Sequence, residues 1–450
     1  MSESIERETW ATRAGFVLAA VGSAVGLGNV WRFPFQVGQE GGAAFLLVYL
    51  LFVLIVGIPA ILVEFVVGRN TKQSPVGALA EYGGGGWRYL GWLFVAIGFV
   101  ILSYYSVVGG WVLRYAGASL TGSYADAPEE YFVGVASGLD ALALHLVFMA
   151  VTVGIVALGV KRGIELGVKF MVPAIVVLVL GLAAYAATLP GVTEAYAYYL
   201  SPDLGLLASE WTSILPAAAG QAFFTLSLGM GVMITYSSYV SEDRNLGKDA
   251  GAIFVLDTGI AFTVGLVVFP ILFAAGVDPA DPGAGALFIS LAGAFGELPL
   301  GGVLGFVFFA TVAIAALSSA ISLLEVVVSH LIDEYGVERK KATLAVGSAV
   351  FLLGVPVTVD VVIVDLYDIL AAQILLVLGG LGLAVLVGWM KPEESIEELS
   401  QGVVHLDSLG PTWIWLVRVP VVIVLAVALY LGVADYVEFL TTDLAEFLSG

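Results

Sequence analysis

The sequence of 450 residues contains no cysteine and only three histidines. Without cysteine the chain can form neither disulfide bonds nor thiolate metal sites, and the scattered histidines offer no ligand cluster. Charged residues are also scarce, at 12% of the chain. This scarcity excludes an ordinary soluble domain, whose surface needs about twice that share of charged side chains.

What the sequence does contain is long apolar runs. The chain is 60% hydrophobic, with a mean hydropathy of +1.01. Each run is about 20 or more residues long, which suits a helix across roughly 30 Å of hydrocarbon and is too long for a barrel strand. We therefore predict an all-α polytopic membrane protein with eleven transmembrane helices. The predicted spans are 14–36, 43–67, 88–117, 138–160, 164–187, 210–239, 249–276, 299–331, 342–359, 363–390 and 412–433.

The basic residues predict the orientation in the cell membrane. Most of the 17 Lys and Arg residues lie in or beside segments on one side; Arg114 is at the other end of a span, and Arg32 and Arg418 lie within spans. The positive-inside rule then places the N-terminus in the cytoplasm and, after eleven spans, the C-terminus outside. The net charge of −20 indicates either a cation-attracting surface or, as we prefer, a halophilic source.

Glycine-rich runs interrupt two spans. Residues 22–34 read GSAVGLGNVWRFP, and residues 221–231 read QAFFTLSLGMG. Small residues also permit close helix packing, but packing alone does not explain Asn29 and Arg32 in the first run. Carbonyl groups before a break suit a cation, and amide groups after it suit a carboxylate. Paired breaks in the two halves of a membrane protein therefore indicate the binding site of a transporter.

Three runs together resemble one family. They are WATRAGFVLAAVGSAVGLGNVWRFP, GQAFFTLSLGMGVMITYSSYV and ALSSAISLLEVV, in this order. They resemble the neurotransmitter:sodium symporter family, especially its prokaryotic amino-acid transporters. The resemblance implies a 5+5 inverted repeat with broken helices 1 and 6, plus one extra C-terminal helix. It divides the chain into a first repeat (1–190), a second repeat (191–392), and an eleventh helix with an acidic tail (393–450).

The resemblance implies two sodium sites between the repeats and no organic cofactor. The first sodium would bind Ala24, Asn29, Thr225, Asp257 and the substrate carboxylate; the second would bind Gly22, Val25, Ala315, Ser318 and Ser319. Asp257 departs from the family pattern, which often has Asn there and takes its extra negative charge from chloride or from a Glu one turn later. Here that later residue is Ala261, so we predict transport that is independent of chloride.

The substrate site implied by the resemblance is uncharged. Its residues are Ala24, Gly26, Gly28, Ile101, Tyr105, Phe224, Thr225, Ser227, Met230, Ser319 and Leu323. The backbone of residues 24–28 and the Tyr105 phenol would bind the amino and carboxyl groups. An apolar or aromatic side chain fits the rest, and Leu, Ile, Val, Met, Phe, Tyr and Trp all stay open.

The resemblance also implies two gates. The outer gate comprises Arg32, Asp368 and Gln221 with Phe224 as a lid, and the inner gate comprises Arg7, Asp333, Trp10 and Tyr239. Gly163 and Pro173 resemble a family motif that lets the inner half of the fifth span unwind. Two acids in apolar surroundings, Glu64 and Glu325, have no assigned role.

We therefore expect a sodium-coupled symporter that imports a small apolar or aromatic amino acid by alternating access. The alternatives are a symporter for another small amine or osmolyte, such as betaine or taurine, and a sensor of the same fold that binds without transport. The absence of a nucleophile–base pair argues against an enzyme. The expected partners are the amino acid and membrane lipid and not nucleic acid; the oligomeric state stays open.

Overall fold

The computed structural model describes residues 9–280, 287–402 and 409–449. These residues are helical, with turns between the helices and no strand. Within these described ranges, nine helices are long and apolar enough to cross a membrane. They are Ala43–Thr71, Gly85–Ser119, Gly138–Val156, Val160–Ala186, Leu246–Ala275, Gly301–Tyr335, Arg339–Thr358, Val361–Met390 and Leu409–Ser449.

The first span is the bent pair Arg13–Ala24 and Gly28–Gln39, whose axes differ by 52°. The α-helix ends where Val25 leaves helical geometry, at φ −75° and ψ 85°. The chain resumes as a π-helical turn, Gly28–Arg32, followed by the helix Phe33–Gln39, whose second residue is proline. The break therefore lies at the glycine-rich run.

The sixth span is broken in the same way, between Trp211–Thr225 and Val232–Ser237. Gly229 and Gly231 have φ of 78° and 74°, the left-handed region that suits glycine. Ser227 adopts φ 52° there without being glycine. With this span, the described part of the chain contains the eleven predicted spans, and the all-α fold with broken first and sixth spans is confirmed.

The two broken spans lie inside the bundle. The first span packs against the fifth, seventh and eighth spans, while the eighth span packs along the third. Six shorter helices connect the spans: Pro75–Gly83, Pro128–Ala136, Val192–Leu200, Leu204–Ser209, Ala292–Glu297 and Pro392–Ser400. The breaks are thus shielded from lipid, as unpaired backbone groups in a membrane require.

The last span is longer than the sequence predicted. Its helix starts at Leu409 and continues to Thr441, and a further helix covers Asp443–Ser449. The apolar run ends near residue 433, yet acidic residues beyond it can continue a helix in water because its hydrogen bonds are internal. The boundaries of the two repeats, 1–190 and 191–392, stay a prediction.

Candidate substrate and sodium site

Hydrogen bonds join the two breaks directly. We call the end that carries Trp10 the inner end and the end that carries Arg32 the outer end; the positive-inside rule predicts that the inner end faces the cytoplasm. The Ser227 hydroxyl donates to the Ser23 carbonyl at 2.9 Å, and the Gln221 amide donates to the Gly28 carbonyl at 3.0 Å. The left-handed backbone at Ser227 is therefore held by a contact with the first span.

Asn29, Thr225 and Asp257 form a fully buried cluster. The Asn29 amide Nδ2 donates to Asp257 Oδ1 at 2.8 Å, and the Thr225 hydroxyl donates to Asp257 Oδ2 at 3.2 Å. The Asn29 oxygen Oδ1 has no hydrogen-bond partner in the described part of the chain. A buried oxygen without a partner is costly, so it fits a cation ligand. Oxygen donors with one carboxylate suit a hard cation such as sodium.

The residues predicted for the second sodium lie between the first and eighth spans. A Cβ built on Gly22 would lie 3.3 Å from the Cβ of Ser318, so the helices touch there. The Ser319 hydroxyl is 3.4 Å from the Gly22 carbonyl oxygen, and the Ser318 hydroxyl donates to the Ala315 carbonyl at 2.9 Å. Val25 lies where the first helix ends. The Ser319 hydroxyl and the Gly22 carbonyl, and the Ser318 hydroxyl and the Ala315 carbonyl, therefore lie within hydrogen-bond distance in pairs.

Multivalent metal chemistry has no matching ligand set here. Across residues 9–280, 287–402 and 409–449, no three His, Cys, Asp or Glu side chains lie close enough to hold an ion together. The residues predicted for the two ion sites offer neutral oxygens and the single carboxylate of Asp257.

A cavity of about 30 Å³ lies between the breaks and the third and eighth spans. Its lining residues are Ser23, Ala24, Gly26, Leu27, Gly28, Ile101, Tyr105, Phe224, Ser227, Met230, Ser319, Ser322 and Leu323. Of the predicted substrate residues, Thr225 alone is absent from this lining, because its hydroxyl turns to Asp257. Leu27 entered the prediction only through the backbone of residues 24–28, and Ser322 had no predicted role. The Ser23 and Ser322 hydroxyls are 2.7 Å apart, a pairing that no local pattern reveals.

Gly26 permits the close approach of three elements. A Cβ there would lie 2.7 Å from the Tyr105 hydroxyl oxygen and would also clash with the Ser319 hydroxyl. The Tyr105 oxygen accepts a hydrogen bond from the Leu27 amide at 3.1 Å. The third, eighth and broken first spans therefore meet at a position where a larger residue would displace the Ser319 and Tyr105 hydroxyls.

Three of the four predicted outer gate residues line one cavity; the fourth, Gln221, is not among its described lining residues. Arg32, Asp368 and Phe224 all line a cavity of about 200 Å³. The Arg32 guanidinium lies 4.9 Å from the Phe224 ring centroid, and Asp368 accepts a hydrogen bond from the Tyr104 hydroxyl at 2.7 Å. Between the described side chains of Arg32 and Asp368 there is no salt bridge, so each has a separate partner in this arrangement.

The predicted inner gate is visible in part, because Arg7 lies outside the described residues. The Trp10 indole donates to the Tyr236 carbonyl at 2.9 Å, and its ring meets the Tyr239 ring edge-on at 6.0 Å. Asp333 accepts a hydrogen bond from the Ser74 amide at 2.8 Å. Trp10 therefore covers the inner half of the broken sixth span.

Glu325 and Glu64, which the sequence left unassigned, both contact the sixth span. Arg339 binds the two Glu325 carboxyl oxygens at 2.7 and 3.0 Å, and the Tyr239 hydroxyl donates to the same group at 2.8 Å. Glu64 accepts a hydrogen bond from the Gly229 amide at 2.7 Å, within the unwound segment. For these two acids, the only indication of a function in the sequence was their position within apolar spans.

The comparisons with known proteins agree with this geometry. Residues 7–132 and 135–443 match the sodium:neurotransmitter symporter family. The chain belongs to this family. It is therefore a multi-pass membrane transporter of a sodium-dependent symporter family, not of a family of enzymes, and the resemblance seen in the sequence is confirmed.

Both close and distant relatives cover most of the chain. An uncharacterized sodium-dependent transporter of Bacillus subtilis is 34% identical, over 95% of this chain and 98% of its own length. The sodium-dependent dopamine transporter of Bos taurus is 29% identical, over 92% of this chain and 67% of its own length. The crystal structure of MhsT in complex with L-phenylalanine is 40% identical with a TM-score of 0.85, covering 95% of this chain and 99% of that one.

Proposed function

We propose that this protein imports an apolar or aromatic amino acid together with sodium by alternating access, without a requirement for chloride. The observation that carries the proposal is the buried cluster of Asn29, Thr225 and Asp257, whose unpartnered Asn29 oxygen lies beside the broken helices. Sodium would satisfy that oxygen and the Asp257 charge together, which gives the ion a role in the same site as the substrate.

Two sodium ions are proposed. Asn29, Thr225, Asp257 and the Ala24 carbonyl would hold the first, next to the substrate cavity. The second would bind between the first and eighth spans, at Gly22, Val25, Ala315, Ser318 and Ser319. Because a substrate carboxylate would complete the first shell, each ligand would increase the affinity of the other, which is thermodynamic coupling.

The proposed substrate class follows from the cavity lining. Ile101, Met230 and Leu323 supply apolar surface, and Phe224 covers it from the outer side, while none of the described lining residues is charged. MhsT was crystallised with L-phenylalanine, which supports an apolar or aromatic substrate here as well. The backbone of residues 24–28 and the Tyr105 phenol would orient the amino and carboxyl groups.

Independence of chloride is proposed from the position of Asp257. Its carboxyl group is within hydrogen-bond distance of both Asn29 and Thr225, so an ionised Asp257 would supply the negative charge in direct contact with the ion. The residue one turn later is Ala261, which carries no charge.

Alternating access would use the gates and the fifth span. Arg32 and Asp368 would pair when the outer cavity closes, and Arg7, Asp333, Trp10 and Tyr239 would part when the inner side opens. The fifth span starts as a π-helical turn, Val160–Ile164, that includes Gly163. This irregular turn supports the proposal that the inner half of the span unwinds and admits water.

Uptake into proteoliposomes tests the proposal. The full chain is reconstituted, and uptake of labelled Phe and Leu is measured with an inward sodium gradient and with potassium in its place. We expect accumulation with sodium alone, its loss in Thr225→Ala, and its retention in Thr263→Ala, a lipid-facing Thr on the seventh span whose hydroxyl bonds its own helix. Uptake that persists without sodium refutes symport, and binding without uptake favours the sensor.

A further inference from the structure

Arg418 is a cation within the last span that the proposed transport site does not use. It lies on the π-helical turn Val417–Val421, and the surrounding run PTWIWLVRVPVVIVLAV carries no other charge. An arginine at the centre of a span costs about 2.5 to 3.5 kcal/mol on the insertion scale, so it needs a partner or a route to the membrane surface.

The protein supplies only part of the bonding that Arg418 needs. Its Nε donates to the Gly388 carbonyl of the tenth span, and its guanidinium carbon lies 5.6 Å from the Trp389 ring centroid. A Cβ on Gly388 would lie 3.2 Å from the Arg418 Cγ, so the glycine permits this approach. Throughout the described ranges, no carboxylate forms a salt bridge with Arg418 and no acceptor receives a bond from its two Nη groups.

The side chain points toward the inner membrane surface. In an α-helix the Cα–Cβ bond tilts toward the N-terminus, and this span begins at the inner end. Arg418 is about 14 Å along the helix from Leu409, at 1.5 Å per residue. A long arginine side chain directed toward that end brings its charged head to the headgroup region while its stem stays in hydrocarbon.

Two exposed tryptophans lie near Arg418: Trp389, whose ring faces the guanidinium, and Trp415, three residues earlier on the same helix. Trp389 is 60% exposed, and Trp415, one helical turn nearer the inner end, is 57% exposed. Tryptophan is enriched at the depth where headgroups meet hydrocarbon. We call the cleft formed by Gly388, Trp389, Trp415 and Arg418 the Arg418 cleft. Because both tryptophans are exposed on the apolar face of the bundle, a lipid headgroup can reach this cleft and supply the missing acceptor.

We propose that the Arg418 cleft binds the phosphate of an anionic phospholipid in the leaflet at the inner end. The two Nη groups present a planar fork that matches two phosphate oxygens. Since no described carboxylate neutralises the guanidinium, a lipid with net negative charge is favoured over a zwitterionic one. The cleft is separate from the transport site and independent of the substrate proposed for it.

Lipid titration of the purified full chain tests this proposal. The protein is delipidated in detergent, bound lipids are counted by native mass spectrometry, and the probes are phosphatidylglycerol, phosphatidylcholine and inorganic phosphate. The variants are Arg418→Gln and, as a matched control, Arg88→Gln, an exposed arginine at the inner end of the third span. One basic residue near an anionic membrane surface is worth about 1 kcal/mol, or about fivefold in affinity.

We expect the wild type and Arg88→Gln to prefer phosphatidylglycerol over phosphatidylcholine, and Arg418→Gln to lose about fivefold in phosphatidylglycerol affinity alone. Equal affinity in wild type and Arg418→Gln, or an equal loss in Arg88→Gln, overturns the proposal. Displacement of the lipid by inorganic phosphate in the same concentration range shows a free-anion site and overturns the lipid assignment. If Arg418→Gln does not fold, Trp389→Leu is used, and an unchanged preference in that variant counts against the cleft.

Discussion

Replacing Asp257 by Asn removes one charge from the proposed first sodium site and leaves the shape of the side chain almost unchanged. In the structure Asp257 Oδ1 lies 2.8 Å from Asn29 Nδ2, and Asp257 Oδ2 lies 3.2 Å from Thr225 Oγ1. An ion held by the same oxygens would lie within about 4 Å of the charge. Two unit charges at that separation attract by about 4 kcal/mol at an effective dielectric constant of about 20.

This magnitude corresponds to about a thousandfold in sodium affinity, because each 1.4 kcal/mol is roughly a factor of ten. We therefore expect the sodium concentration for half-maximal Phe or Leu uptake to rise by up to about 10³ in Asp257→Asn. Uptake is measured in chloride-free proteoliposomes over a range of sodium concentrations, with the ionic strength held constant by choline.

A second variant serves as the control for position. Asp257→Asn combined with Ala261→Glu moves the negative charge by one helical turn, so it should recover most of the lost sodium affinity. Added chloride at constant sodium should leave wild-type uptake unchanged, because Asp257 already supplies the charge. Wild-type sodium dependence in the single variant, or strong stimulation of the wild type by chloride, would show that Asp257 does not supply the charge.

Three further predictions concern the cavity and its surroundings. Gly26→Ala should abolish binding of labelled Phe and Leu, because the added methyl group meets the Tyr105 hydroxyl at 2.7 Å, whereas Gly220→Ala, which meets nothing within 4 Å, should bind normally. Ser319→Ala should raise the sodium concentration for half-maximal binding about tenfold by removing one oxygen ligand, as measured by equilibrium dialysis; an unchanged value excludes Ser319 as a ligand. Glu325→Leu removes the carboxylate that forms a salt bridge with Arg339. Because this breaks a buried ion pair, the variant should lower the free energy of unfolding by about 3 kcal/mol, measured by denaturant titration in detergent. A loss below about 0.5 kcal/mol would contradict the buried ion pair.

The fold could be predicted from the sequence because its signals are local. A span requires about 20 consecutive apolar residues, and the breaks at residues 22–34 and 221–231 carry glycines that a continuous helix would not favour. The length of the last helix escaped prediction because Asp435 and Glu438 end the apolar run without ending the helix. Hydropathy indicates whether a helix is surrounded by lipid or by water, and it does not indicate the residue at which the helix ends.

The cavity lining was largely predictable, and the long-range polar contacts were not. The motifs place Gly26, Ile101 and Met230 in the lining, where the structure also has them. The contact of Glu64 with the Gly229 amide, by contrast, joins residues that are 165 positions apart. Such long-range hydrogen bonds depend on how whole helices pack against each other. No pattern within a single sequence predicts them.

The size of the substrate cavity has a consequence for measured affinity. About 30 Å³ leaves room for one or two water molecules and for no amino-acid side chain beyond the smallest. The apolar amino acid proposed as substrate would therefore need a wider arrangement of the same side chains, which the ligand-free protein populates to some fraction. The apparent dissociation constant is then the intrinsic one divided by that population. A substitution that only loosens the packing of Phe224 or Met230 would thus tighten binding without a new contact, because it would raise the population of the wider arrangement.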